Sequence, residues 1–496
     1  MRQSSVTPES TEEAEQELPS ESYVPKAMPP VLGTFDLTAV CVLGMLYLTN
    51  STTAASSGAA ALLLWLLGGV FYFLPSVIVS AQLGVLFPHD GSLYSWTHHA
   101  LGRYWSFLIG FCWWLPGPLL IVTSAATMIS YLQGLNHSWL TEPWQQGLAI
   151  LALIALSGLL ASRRLRTAQN LVNAGFFASL LSILLISSAG AIWLLRGHQP
   201  ATSFRSLSDW IPTLGHLSLF GLICGAYGGA AMPLNMGGEI YEHDAIPGYL
   251  RWSTLVVLVG YLASTLTILL VQGPATTSNP FVLITVVDSV LGKLAGNITV
   301  VALLFAYLMA ATAYNYSFAR LLFVGSIDQR LPGRLGQLNR ERVPTSAIAL
   351  QTTIAALLAL LIFLAIPYIL FFADARNFSL IFYNVSIASV GTVWQTILVF
   401  VYVDLALLLL KRKEQVLPRL IIPRWLLWPA IVIGPLASLV SVVSSLLVSW
   451  IPQQLDNAHW QYSVIALTSI MLVAALIGSL YASSQTSWQR MRITGS

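Results

Sequence analysis

Residues 216–239 read HLSLFGLICGAYGGAAMPLNMGGE, and their reading decides the fold. The stretch opens as an ordinary membrane-helix pattern. It then loses its helix-forming character at Gly225, Gly228 and Gly229, followed by Pro233, Gly237 and Gly238. A second interrupted stretch lies near the start of the chain. There VCVLGMLY (40–47) runs into LTNSTTAASSG (48–58), where the interruption is expected at the polar run Thr49, Asn50, Ser51, Thr52, Thr53. Unpaired backbone is costly in hydrocarbon, so irregular backbone at membrane depth survives where it lines a cavity. Interrupted segments at corresponding positions of two halves point to the substrate site of a transporter.

Composition agrees with a membrane protein. Of 496 residues, 56% are hydrophobic and 9% are charged, against roughly a quarter charged in soluble domains. Apolar runs repeatedly reach the roughly 20 residues that cross a bilayer. Twelve spans are expected, over 36–57, 61–86, 101–133, 144–162, 169–195, 214–240, 250–272, 296–326, 345–366, 379–410, 421–449 and 460–483. An even count puts both termini on one side. All 23 Lys and Arg residues except Arg196, Arg205, Lys293 and Arg376 then fall on that side. The positive-inside rule makes it the cytoplasmic side of a plasma or inner membrane.

The interrupted spans are the first and the sixth. A repeat of five spans is odd, so its second copy enters the membrane from the opposite side, as an inverted repeat does. The expected architecture is therefore all-α and polytopic, with spans one to five repeated as six to ten and two accessory spans. Residues 31–484 form the single transmembrane domain. Residues 1–30, polar and rich in Glu, are expected to be a disordered tail, and 485–496 a short cytoplasmic tail. A net charge of +3 gives no sign of a nucleic-acid partner.

Three stretches resemble the amino acid–polyamine–organocation transporter family. SAQLGVLFPHDGSLYSWTHHALG (80–102) carries the match at Pro88, Gly91, Tyr94 and Gly102, continued by FLIGFCWWL (107–115). GAYGGAAMPLNMGGEIYEHDAIP (225–247) is similar to the family's glycine and aromatic break, with Glu239 and Pro247 as counterparts of its downstream Glu and Pro. The stretch 319–347 looks like the family's inner loop at Arg320, Leu331-Pro332, Asn339 and Pro344. The resemblance implies a five-plus-five inverted-repeat fold, substrate at the breaks of spans one and six, and secondary transport of amino acids or related amines. Two departures stand out. The usual glycine-rich triplet of the first span is replaced by Tyr47-Leu48-Thr49-Asn50-Ser51, and 169–195 lacks the lysine that some proton-coupled members carry.

The chemistry at the breaks suits a zwitterion. A half-helix start offers free N–H groups to a carboxylate, and free carbonyls opposite can hold an ammonium group or a coupling ion such as sodium. The expected substrate set is Thr49, Asn50, Ser51, Tyr227, Gly228, Gly229 and Ala230, with Tyr227 as an aromatic gate. Trp113, Tyr314, Asn315 and Glu239 are expected at the cavity wall or gate, Glu239 as an inner-gate or proton-linked carboxylate. For Asn315 a helix–helix hydrogen bond competes with a cavity role. Asp36, Asp404, Glu239 and His216 lie near span ends, where reaching the headgroups is the plain alternative to function. No central carboxylate appears that would suit a polyamine.

Other classes find less support. Cys41, Cys112 and Cys224 fall inside apolar spans without metal-ligand spacing, so neither metal nor cofactor is expected. His89, His98 and His99, with Asp90 beside them, lack the partners of a catalytic site, which argues against an enzyme. The open alternatives are a carrier of polyamines, other organic amines or nucleobases on the same fold, or a sensor that does not transport.

Overall fold

The computed structural model describes residues 17–494 except 137, 243, 277–280 and 370–377. Among the described residues the regular structure is helical, with two isolated bridges, Leu32 to Ile240 and Asp90 to Met236. Ten helices among the described residues are long and apolar enough to cross a membrane. They are span two (Ala60–Leu86), three (Arg103–Leu135), four (Pro143–Ala161), five (Leu165–Leu195) and seven (Ala245–Val271). Spans eight to twelve are Lys293–Ile327, Thr345–Ala365, Phe378–Lys411, Arg424–Leu447 and Asn457–Ala482. The two remaining spans are the broken ones.

Span one is a bent pair, Thr34–Met45 and Thr49–Ser57, with a 45° bend. The polar run expected to interrupt it is instead the second half-helix, since Thr49–Ala54 is α-helical and fully buried. The break falls one step earlier, at Leu46–Leu48, among apolar residues. Hydroxyls do not force a helix to stop when neighbours accept them. Ser51 meets Ser264 of span seven at 2.6 Å, and Thr49 faces Tyr131 of span three at 3.4 Å. What the break requires is partners for its backbone, and tyrosines supply them. The Tyr261 hydroxyl donates to the Met45 carbonyl (2.5 Å) and accepts from the Tyr47 N–H (3.1 Å). The Tyr314 hydroxyl donates to the Gly44 carbonyl at 2.5 Å.

Span six is α-helical only over Leu217–Ala226. Beyond it the chain turns through Gly229, whose φ of +108° suits only glycine. It continues as two short 3₁₀ pieces, Met232–Asn235 and Gly237–Glu239. Gly68 of span two lets this half-helix approach closely, because a Cβ there would sit 2.4 Å from Ile223. Spans two and nine each carry a π-helical stretch, Gly69–Phe73 and Leu360–Ala365.

Span three is the bundle's axis. Its most apolar window is 83% buried, against 28% for spans five and twelve, whose outer faces are left for lipid. One tail expectation changes. Within the stretch expected to be disordered, Pro19–Ala27 forms a helix with Val24 buried at 1% exposure. Proline near its first turn favours the start, and Ser20 fixes it by donating twice to Asp328 (2.8 and 2.9 Å). Residues 1–16 lie outside the described residues. At the other end the last helix is continuous through Thr494, into the stretch expected to be a tail.

Candidate functional site

The breaks of spans one and six meet at a small cavity of ≈20 Å³. Span one contributes Gly44, Met45, Tyr47 and Asn50, and span six contributes Gly225, Ala226 and Gly228. Tyr314 of span eight and Ile387, Gly391 and Trp394 of span ten close the other side. Backbone is brought to the cavity surface at the glycines. A Cβ on Gly228 would meet the Gly225 carbonyl at 3.1 Å, and one on Gly391 would meet the Gly225 Cα at 3.4 Å. The lining carries no ionised side chain.

Tyrosines surround the break. Tyr47 stacks on Tyr307 with centroids 5.1 Å apart, and its hydroxyl lies 2.5 Å from that of Ser124. Tyr383 donates to the Asn50 side-chain carbonyl at 2.8 Å, and the Asn50 amide reaches Tyr261 at 3.3 Å. Asn50 is thus held by two hydroxyls with its side chain at the cavity wall.

The expected site residues divide clearly. Asn50, Gly228 and Tyr314 line the cavity. Thr49 and Ser51 are turned to spans three and seven by the bonds already given. Gly229 supplies the turn, and the Ala230 carbonyl accepts from Tyr249 at 3.0 Å. Tyr227 does not face the cavity. It stacks on Phe73 (4.7 Å) and donates to the Trp65 carbonyl (3.1 Å), which wedges it between spans two and seven. A residue at a helix C-terminus points by the local twist of the chain, which the sequence does not display. Asn315 bonds Ser157 of span four (3.3 Å) and Thr352 of span nine (3.2 Å), the helix–helix alternative.

Trp113 forms the cavity's floor without lining it. Its ring lies 4.6 Å from Trp394, and its Nε1–H donates to Asn235 at 3.0 Å. Asn235 also accepts from the Ser92 hydroxyl at 2.7 Å, so span three, the exit of span six and the turn after span two are joined in one layer. Below it, Glu239 is not a free carboxylate at a headgroup. Arg320 grips it through Nε (2.7 Å) and a terminal nitrogen (3.3 Å), with both side chains at most 2% exposed. Asp36 and Asp404 are likewise held inside, Asp36 by Arg166 and Asn173 (2.9 and 2.7 Å) and Asp404 by Thr97 (2.7 Å). Charged and polar partners on neighbouring helices make burial possible for these acids.

Sequence reasoning missed Trp394, Gly391 and Arg320 as site residues. The sequence did contain a signal for the first two, since Gln395 is a polar residue deep in span ten. Among the described residues, no group of three or more His, Cys, Asp or Glu side chains is placed to hold a metal ion.

Comparison with known proteins assigns the family. A profile described as amino acid permease matches residues 32–479. The chain belongs to the amino acid permease family. This permease is 24% identical over 407 residues to human solute carrier family 7 member 13, covering 80% of each chain. It is 21% identical to an uncharacterized transporter of Legionella pneumophila over 66% of this chain and 73% of that one. It is 22% identical to the inner membrane transporter YjeM of Escherichia coli over 60% and 68%. In three dimensions it is similar to MhsT, crystallised in complex with L-phenylalanine, with a TM-score of 0.56 over 83% of this chain and 98% of that one. At 13% identity that likeness establishes the fold, the leucine-transporter type. The permease is a multi-pass membrane transporter.

Proposed function

We propose that the permease moves amino acids, or closely related small zwitterions, by alternating access, with the substrate held at the breaks of spans one and six. The observation that carries this reading is the meeting of both breaks at one cavity lined by neutral polar groups, aromatic rings and glycine backbone. The Gly44 and Met45 carbonyls, now capped by Tyr314 and Tyr261, are natural acceptors for an ammonium group. A lining without ionised side chains favours a zwitterion over a polyamine, which would draw a carboxylate into the site. The cavity has room for about one water, so substrate enters only when the aromatic wall moves, as a closing gate does. Spans one and six then rock against the remaining bundle, opening the site to each side in turn. Both termini lie on the cytoplasmic side of the plasma or inner membrane, as the distribution of Lys and Arg indicates.

Binding is tested by thermal unfolding of the purified protein in detergent with individual amino acids. A ligand at about 100 times its dissociation constant stabilises the folded state by about 2.7 kcal/mol. The reading expects one chemical class of amino acid to raise the midpoint, and the rise to vanish in Asn50→Ala. A rise with polyamines or nucleobases alone would overturn it.

A further inference from the structure

Beneath the cavity floor, a second buried carboxylate, Asp90, lies within electrostatic reach of the Glu239–Arg320 pair. Asp90 lies in the turn after span two, only 4% exposed, and its Oδ1 accepts the Gly238 N–H at 2.7 Å. Its Oδ2 is fully buried and accepts no hydrogen bond. The bridge between Asp90 and Met236 ties this turn to the exit of span six. The cation near Asp90 is Arg320, whose donors are directed to both oxygens of Glu239 and to the Tyr316 carbonyl (3.3 Å). The other titratable groups around the cluster are Glu239 on the exit of span six and Tyr316 on span eight. His89 adjoins Asp90 in the chain, and Glu21, on the helix whose Val24 abuts Gly238, is engaged with His99 at 3.0 Å. Burial, then the charge of Glu239, push the Asp90 carboxyl well above the usual range, against the pull of Arg320 and the Gly238 N–H.

We propose that Asp90 is a proton-binding site of the inner gate, carrying a proton on its buried oxygen while the gate is closed and releasing it to the inner solution when the gate opens. The closed cluster then holds one carboxylate, one guanidinium and one neutral acid. Opening breaks the Gly238 contact and hydrates Asp90, whose O–H bond ionises and gives one proton to water. Acid on the inner side therefore holds the gate shut and alkali releases it. The inference rests on the alternating-access reading, but its test needs no substrate.

Hydrogen–deuterium exchange of residues 87–101 is followed in nanodiscs between about pH 5 and about pH 9, corrected for intrinsic exchange. The wild type is expected to lose protection as pH rises, by up to about tenfold per unit between the open-state and closed-state titrations, and to level off above the latter. Asp90→Asn, permanently neutral, is expected to keep its protection at every pH. Glu239→Gln, which removes the neighbouring negative charge that raises Asp90, shifts the loss to lower pH relative to wild type and serves if Asp90→Asn does not fold. Equal pH profiles for wild type and each folded variant would overturn the proposal. Failure of every amino acid to bind would count against the substrate reading and leave this test's outcome standing.

Discussion

Trp394 of span ten donates to the backbone carbonyl of Trp113 in span three at 3.2 Å, and their rings lie 4.6 Å apart. The pair separates the cavity from the polar layer around Asn235, so under the proposed alternating access it is the barrier that movement toward the inner side must part. Replacing Trp394 by Ala removes one half of that barrier. The expected result is at least about a tenfold fall in uptake with a lower unfolding midpoint, because aromatic-to-Ala changes in packed cores cost about 3–5 kcal/mol. Trp394→Phe, which keeps a ring, should retain most uptake. Equal uptake by all three proteins would remove Trp394 from the gate.

The glycines at the sixth break make a second prediction. Gly228→Val places carbon against the Gly225 carbonyl, and Gly229→Val forces a φ of +108° that branched residues do not adopt. Both variants should abolish transport while the protein remains folded in detergent, as size-exclusion chromatography and uptake assays measure together. Normal uptake by both would move the site elsewhere.

The Glu239–Arg320 pair is expected to behave as a buried ion pair. Arg320→Met leaves a carboxylate uncompensated and should lower stability by about 3–5 kcal/mol. The double variant with Glu239→Leu should recover most of that loss, since replacing both partners by apolar groups is often neutral. Thermal unfolding of the single and double variants decides it. A double variant no more stable than Arg320→Met would contradict the pairing.

Much of this arrangement is legible in the sequence. Long apolar runs located the spans, and Gly228, Gly229 and Pro233 marked the sixth break, because glycine and proline act through the backbone itself. The first break was misplaced by a few residues. Thr49 and Ser51 look like breakers in sequence, yet their hydroxyls are absorbed by Tyr131 and Ser264 from other spans. The stabilisers of the true break, Tyr261 and Tyr314, are more than 200 residues away in the chain. Arg320 reads in the sequence as an inner-side charge and a match to the family's inner loop, while its pairing with Glu239, 81 residues earlier, is a property of the fold. Long-range partnership of this kind leaves no periodicity to read.

The helix Pro19–Ala27 should undock with rising pH. Burial, against the bonds from Ser20, pushes Asp328 up to about 6. A carboxyl raised in the docked state favours docking below its ordinary value, and that advantage is lost as pH rises through about 6. Tryptic cleavage after Lys26, normalised to a free peptide at each pH, should accelerate over that window. Asp328→Asn should flatten the profile, and an unchanged profile would contradict the assignment.

Counterflow in proteoliposomes tests the central claim most directly. Vesicles are preloaded with unlabelled amino acids, and entry of individual labelled ones is followed with and without a sodium or proton gradient. The account predicts transient accumulation of one class of amino acid, abolished by Gly228→Val. No accumulation of any amino acid, from protein shown to be folded, would contradict it.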